Sequence, residues 1–402
     1  LENAEILKKA EEYIHFEKDG FFRKQVEDLI AKKDYAELSD RFYTELEFGT
    51  GGIRGVMGGG FNRLNSFIIR KTTQGLANYI KKALEGGDAS VAIAYDSRRF
   101  SDVFALEAAQ VLAANGIKAF LYTSLRSTPQ LSFTVRRLKA TAGIVITASH
   151  NPAEYNGYKV YWSDGGQIVA PHDTGIVREV RAVQGPAIVS LTKEDAAAKG
   201  LIVMIDKDVD EPFVNMVKAC ALRPGILREK GALLKVVYTP LHGTGAVPVG
   251  RALSDLGIPV IFVEQQKKPD GDFPTVAFPN PEEAAAMKLA LDLAEKEKAH
   301  LVLATDPDAD RLGAAVPAGT DASDRGGYTL LTGNQLGVLL LDYILAGRKE
   351  QGTLPRRAAY VKSIVTTELG FLIAREHGVE CFDVLTGFKY IGEKMLQFET
   401  EA

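Results

Sequence analysis

The sequence predicts an α/β protein built from three similar modules with mixed, mostly parallel sheets. Two observations carry this. Short β-branched runs alternate with amphipathic helical segments, the order that builds parallel sheets covered by helices. The alternation also comes round three times as strand, loop, helix, strand, helix, strand and loop, although the letters hardly repeat.

The first stretch, up to about residue 47, stands apart. "AEILKKAEEYIHF", "FFRKQVEDLIAKK" and "AELSDRFYTELEF" set apolar residues three and four apart between Lys and Glu, which predicts helices packing by one face. "GTGGIRGVMGGGFNRLN" breaks the pattern and reads as a flexible loop. The first round then runs from "SVAIAYDSRRF" through the helix "SDVFALEAAQVLAANG", the strand "KAFLYTS" and a second helix to "AGIVITASHNP". The second runs from "LKVVYTPLHGTG" through "PVIFVEQQ" and a helix from Pro281 to "AHLVLATDPDADR". The third has only "AAYVKSIVTTELG", a helix and "ECFDVLTGFKY", so this module is expected to be incomplete. Hydrophobic periodicity lapses near "KGLIVMIDKDVDEPF" and "PAGTDASDRGGY", giving expected domains of 1–205, 206–325 and 326–402.

Composition narrows the function. The chain is 402 residues long, 46% hydrophobic and 25% charged, ordinary for a globular protein of about two to four domains. A net charge of −4 argues against nucleic-acid binding by bulk positive charge, so an anionic substrate would need local Arg, Lys and N–H clusters. Cys220 and Cys381 are far apart with no CxxC spacing, which fits a reducing cytoplasm rather than a disulfide framework or zinc site. The apolar run from Gly337 to Leu345 is interrupted by Asp342 and is too short to span a bilayer. No membrane partner is expected, and the residues do not determine an oligomeric state.

Ligands gather beyond the carboxyl ends of strands in open parallel sheets, so the polar loops in those places matter most. In "HLVLATDPDADR", Asp306, Asp308 and Asp310 follow a strand at alternate positions. Three crowded carboxylates repel unless a cation sits among them, and all-oxygen ligands at this spacing suit Mg²⁺. An EF-hand is excluded, because Arg311 and Pro317 stand where it needs Gly and Glu.

In "GIVITASHNP", Pro152 cannot continue a strand, so Ser149 is displayed at a strand end. Taken alone, Ser149 reads as a nucleophile, an anion hook or a turn residue. A nearby Mg²⁺ would favour a phosphoserine by neutralising the phosphoryl charge. Lys159, in the polar turn "NGYK", could donate to a substrate oxygen or simply face solvent. "GTGGIRG" is neither a P-loop nor G-x-G-x-x-G, but its glycines around Arg54 could meet a phosphate. His242 in "YTPLHGTGA" reads as structural, and Arg98 and Arg99 as braces for loops. Thr386, Gly387 and Lys389 in "LTGFKYIGEK" could touch a sugar or phosphate, or form only a turn.

Together these loops, in this order, resemble the α-D-phosphohexomutase superfamily of phosphoglucomutases and phosphomannomutases. "TASHNP" is similar to its phosphoserine loop, "DPDADR" to its metal loop, "TGFKY" to part of its sugar-recognition region and "GTGGIRG" to its arginine loop. The helical N-terminus and "LTGNQLG" look most like the phosphopentomutase-like branch. The resemblance implies four domains around a central cleft, the small fourth being absent here together with the sugar loop that should follow "TGFKYIGEKM". A chain that truly ended at Ala402 is expected to keep a metal site but little mutase activity. By the same resemblance Ser149, His150, Lys159 and Arg311 are the catalytic set, and Arg54, Thr386, Gly387 and Lys389 bind substrate. Asp306, Asp308, Asp310 and phosphorylated Ser149 would hold Mg²⁺. The implied substrate is a sugar monophosphate, glucose favoured over mannose or pentose, with glucose 1,6-bisphosphate as activator. Two rivals remain: an aspartyl phosphatase using Asp306, and a sugar-phosphate-binding protein without catalysis.

Overall fold

The computed structural model describes residues 3–49, 51–319 and 327–401, so the expected boundary at 325/326 lies outside the described residues. The chain divides into two compact units, Leu1–Val209 and Asp210–Ala402.

The first unit opens with three helices, Asn3–Phe16, Gly20–Lys32 and Tyr35–Phe42. Their apolar spacing becomes one packed face: Ile6, Ala10, Tyr13, Phe22, Val26, Leu38 and Phe42 are all buried. Asp19 and Asp34 cap the second and third helices by accepting N–H groups of their first turns, and Lys33 ends the second in left-handed backbone. Glu17 ties this layer to the body. Its carboxylate is buried and accepts from Tyr13 Oη, the N–H of Phe67 and Arg70 Nη2 at 2.9, 3.0 and 3.2 Å.

The body is a six-stranded sheet of β1 (Gly52–Val56), β2 (Ser90–Tyr95), β3 (Lys118–Tyr122), β4 (Ala142–Ile146), β5 (Tyr155–Trp162) and β6 (Ile202–Ile205), in the spatial order β1-β5-β4-β2-β3-β6. β4, β2, β3 and β6 are mutually parallel, whereas β5 is antiparallel to both its neighbours. "NGYK" is therefore strand, not turn. β5 directly follows the serine loop and doubles back along β4, a course that a local polar pattern hides. "GIRGV" is also strand. Its partner lies about a hundred residues on, and its glycines suppress any local strand signal.

Among the described residues, the second unit holds two sheets. One contains β7 (Val236–Thr239), β8 (Val260–Phe262), β9 (Leu301–Thr305), β10 (Leu312–Pro317) and β11 (Tyr328–Leu331), in the order β11-β10-β9-β7-β8. The other is a parallel pair, β12 (Ala359–Ser363) and β13 (Glu380–Val384). In both larger sheets a parallel strand runs into a polar loop and returns as an antiparallel neighbour, β4 to β5 and β9 to β10. Among the described residues, no helix is long and apolar enough to cross a membrane.

Candidate active site

In the first unit, β4 is buried along its whole length, and the chain leaves it at the carboxyl edge of the parallel strands. Ser149 follows with φ of 52°, left-handed backbone that costs a non-glycine residue roughly 1–2 kcal/mol. Thr147 helps to hold it there. Its Oγ1 accepts the Ser149 N–H at 2.8 Å and donates to Asp96 Oδ2 at 2.6 Å. Arg98 also binds the loop: Nη1 and Nη2 donate to four of its carbonyls, those of Ser149, Asn151, Pro152 and Tyr155. Arg98 thus fulfils the bracing role expected of it. The Ser149 hydroxyl lies 3.1 Å from His150 Nδ1, within hydrogen-bond reach.

The β1–β5 pairing brings two further candidates to this edge. Arg54 sits opposite Gly157, and Gly52 opposite Lys159, which is also paired with Val145 of β4. Arg54 Nη1 donates to Asn151 Oδ1 at 3.0 Å, joining the arginine strand to the serine loop. Gly157 permits this crowding. A Cβ there would lie 2.5 Å from the Thr147 carbonyl and 2.9 Å from that of Ile53.

In the second unit, Asp306, Asp308 and Asp310 occupy the turn between β9 and β10, and one carboxylate oxygen from each lies within 4.8 Å of the others. Asp306 and Asp308 are fully buried, and Asp310 is exposed. Asp306 Oδ1 accepts the N–H groups of Asp310 and Arg311 at 3.1 and 3.0 Å, which curls the turn back over it. Burying two carboxylates side by side is costly without a cation, and hard oxygen donors on three sides fit a divalent ion such as Mg²⁺. Arg311 lies 3.6 Å from Glu282.

The loop after β7 supports that turn from behind. Gly243 packs so tightly that a Cβ would come within 2.3 Å of Pro307 Cα, and the Thr244 N–H donates to the Pro307 carbonyl at 2.8 Å. His242 is buried, with Nε2 at 2.8 Å from Thr275 Oγ1. Burial lowers its pKa, which favours the neutral ring. These contacts are compatible with the structural reading of His242.

Thr386 and Gly387 lie between β13 and the helix Phe388–Glu401, and Lys389 falls in the first turn of that helix. Sequence reasoning missed Lys362 on β12, whose buried ammonium donates to Asp383 Oδ1 at 2.7 Å and Glu368 Oε1 at 2.9 Å. It also missed Asp96 and Thr147 beneath Ser149. "YDSRRFS" offered a signal for Asp96, an acid immediately after a buried strand; nothing local marks Thr147 or Lys362.

Three family models match in order: phosphoglucomutase/phosphomannomutase alpha/beta/alpha domain I over residues 45–186, domain II over 211–319 and domain III over 332–401. The chain is 40% identical over 372 residues to a phosphoglucomutase of Staphylococcus saprophyticus, covering 92% of this chain and 64% of that protein. It is 34% identical over 409 residues to a human phosphopentomutase, covering 98% of this chain and 66% of that protein. It therefore spans slightly under two thirds of the length of these relatives. Among solved structures, a candidate phosphomannomutase from Thermus thermophilus superposes with a TM-score of 0.71 at 26% identity, over 88% of this chain and 72% of that one. A phosphoglucomutase/phosphomannomutase family protein from Burkholderia thailandensis shares the fold at 20% identity, with a TM-score of 0.65 over 87% of this chain and 69% of that one. Its three matched domains and the relatives that span nearly all of it show that this chain belongs to the α-D-phosphohexomutase superfamily.

Proposed function

We propose that the chain carries the phosphoryl-transfer core of a phosphosugar mutase that interconverts hexose 1-phosphate and hexose 6-phosphate, glucose preferred. The observation that carries this is Ser149, held in left-handed backbone at the end of β4 with its hydroxyl 3.1 Å from a histidine nitrogen. No acyl-transfer elbow surrounds it. In this reading Ser149 is phosphorylated. A sugar hydroxyl attacks phosphorus, the P–Oγ bond breaks, and the hydroxyl proton passes to Lys159 or His150. The resulting bisphosphate then returns its other phosphoryl group to Ser149 Oγ, and the proton goes back to the departing sugar oxygen.

Asp306, Asp308 and Asp310, with the serine phosphate, would hold Mg²⁺, which when bound neutralises phosphoryl charge. Arg311 would lie against the transferring group. Arg54, Thr386, Gly387 and Lys389 would contact sugar or phosphate, and glucose 1,6-bisphosphate would serve as the activator that primes Ser149. Both cysteines are free, which fits a cytoplasmic setting. A pentose phosphate is the second reading, favoured by the phosphopentomutase relative that spans 98% of this chain.

Peptide mass mapping after incubation with Mg²⁺ and glucose 1,6-bisphosphate tests the proposal. One phosphoryl group on Ser149, removed again by excess glucose 6-phosphate, is the expected result. The substitution Ser149→Ala should abolish turnover, whereas an aspartyl phosphatase or passive binder would survive it.

A further inference from the structure

We propose that Arg98 is a positioning residue that sets the conformation of the serine loop. Each terminal nitrogen of its guanidinium donates twice. Nη2 donates to the carbonyls of Ser149 and Asn151, both at 2.6 Å, and Nη1 donates to those of Pro152 and Tyr155 at 2.8 and 2.9 Å. Nε faces Asp96 Oδ2 at 3.4 Å, and both side chains are wholly buried.

Only arginine can do this, because its planar fork presents five fixed donors where lysine offers three on a flexible stem. Four carbonyls within seven residues, 149 to 155, turn to this one guanidinium, and that of Pro152 also accepts the Tyr155 N–H at 3.1 Å. Gathered on one cation, they fold the loop around a single point and draw its negative carbonyl ends inward.

Asp96 completes the device. It balances the guanidinium charge and accepts from the Arg98 N–H and the Ser101 and Thr147 hydroxyls at 2.9, 2.9 and 2.6 Å. Thr147 in turn takes the Ser149 N–H. The conformation of Ser149 is thus specified from both sides, its N–H through Thr147 and its carbonyl through Arg98. For catalysis, which rests on the reading of Ser149 given above, this commits the loop's carbonyls elsewhere before a dianionic phosphate arrives, so no reorganisation is needed at that moment.

The test compares Arg98→Lys with the unaltered protein. Thermal melting confirms folding, hydrogen exchange reads amides 148–155, and the kinetics of Ser149 phosphorylation by glucose 1,6-bisphosphate follow. We expect loop amides to exchange at least about tenfold faster while those of β4 and β5 stay protected. The maximal phosphorylation rate should fall about 10- to 100-fold, with the half-saturating bisphosphate concentration changed less than about threefold. A merely structural role would loosen β4 and β5 together with the loop. Should Arg98→Lys not fold, Thr147→Val, which cuts the link from Asp96 to Ser149, should give the same pattern more weakly. Unchanged loop exchange with unchanged phosphorylation overturns the inference. Faster loop exchange in a protein whose unaltered form never takes up phosphate supports the brace and overturns the mutase reading instead.

Discussion

Glu107 is a largely but not wholly buried acid that the proposed chemistry does not use. Burial pushes its pKa up to about 7, against the opposing pull of Arg70, whose Nη1 lies 3.3 Å away. A carboxyl whose folded pKa exceeds its unfolded value stabilises the protein below the unfolded pKa and loses that contribution as pH rises through the folded one. Stability should therefore fall between about pH 4.5 and 7, by at most roughly 3 kcal/mol from this group. Melting curves across that range check this, and Glu107→Gln should flatten the dependence. At the aspartate turn between β9 and β10, Asp308→Asn replaces one of two buried carboxylates. Mn²⁺ binding, read by electron paramagnetic resonance, should weaken by at least about tenfold while the melting temperature holds or rises, because like-charge repulsion is relieved. The candidate residues Ser149, Asp306, Asp308 and Asp310 stood out at this scale, because serine before a strand-breaking proline and alternating aspartates are local patterns. Thr147 and Lys362 did not, since Thr147 bonds to Asp96, 51 residues away, and Lys362 to Asp383, 21 residues away.

At the scale of elements, two close approaches decide where loops sit. Gly243 lets the loop after β7 press on Pro307, so Gly243→Ala should push the aspartate turn outward. A calorimetric metal titration should show weaker binding, with little change in circular dichroism. Gly75, in the helix Ser66–Ala83, lies against the helix His172–Ala182 with no room for a side chain, since a Cβ would be 2.5 Å from Val180 Cα. Gly75→Val should force those helices apart and cost about 1–3 kcal/mol, seen as a lower urea midpoint. Strand and helix periodicity revealed most elements of the three rounds but not β1, β5, β6, β10 or β11. β1 and β5 escaped because a glycine-rich edge strand and a polar strand beside the serine loop both lack the alternation that marks a half-buried strand.

For the whole molecule, the alternating order of elements announced parallel sheets, while the antiparallel returns after the two main loops stayed hidden in polar text. The first unit has a core running from the N-terminal helices onto one face of its sheet, and a smaller separate cluster, with Ala92, Val145 and Leu131 in it, covers the other face. A fragment of residues 1–209 should accordingly melt cooperatively by circular dichroism, and a broad, non-cooperative melt would count against its independence. Large apolar side chains exposed in the second unit, among them Leu339, Leu372 and Phe388, should make a 210–402 fragment the less soluble of the two, as light scattering would show.

The bond between Arg54 and Asn151 spans 97 residues of sequence. The parallel strands β2, β3 and β4 find one another across shorter separations, so their pairing meets a smaller loop-closure cost. During refolding, the serine loop should thus take shape before the arginine strand docks on β5. For an interval the protein should be nearly complete in secondary structure before Arg54 reaches the serine loop. Competence would then trail compaction in time, a lag written into the order in which the chain meets itself.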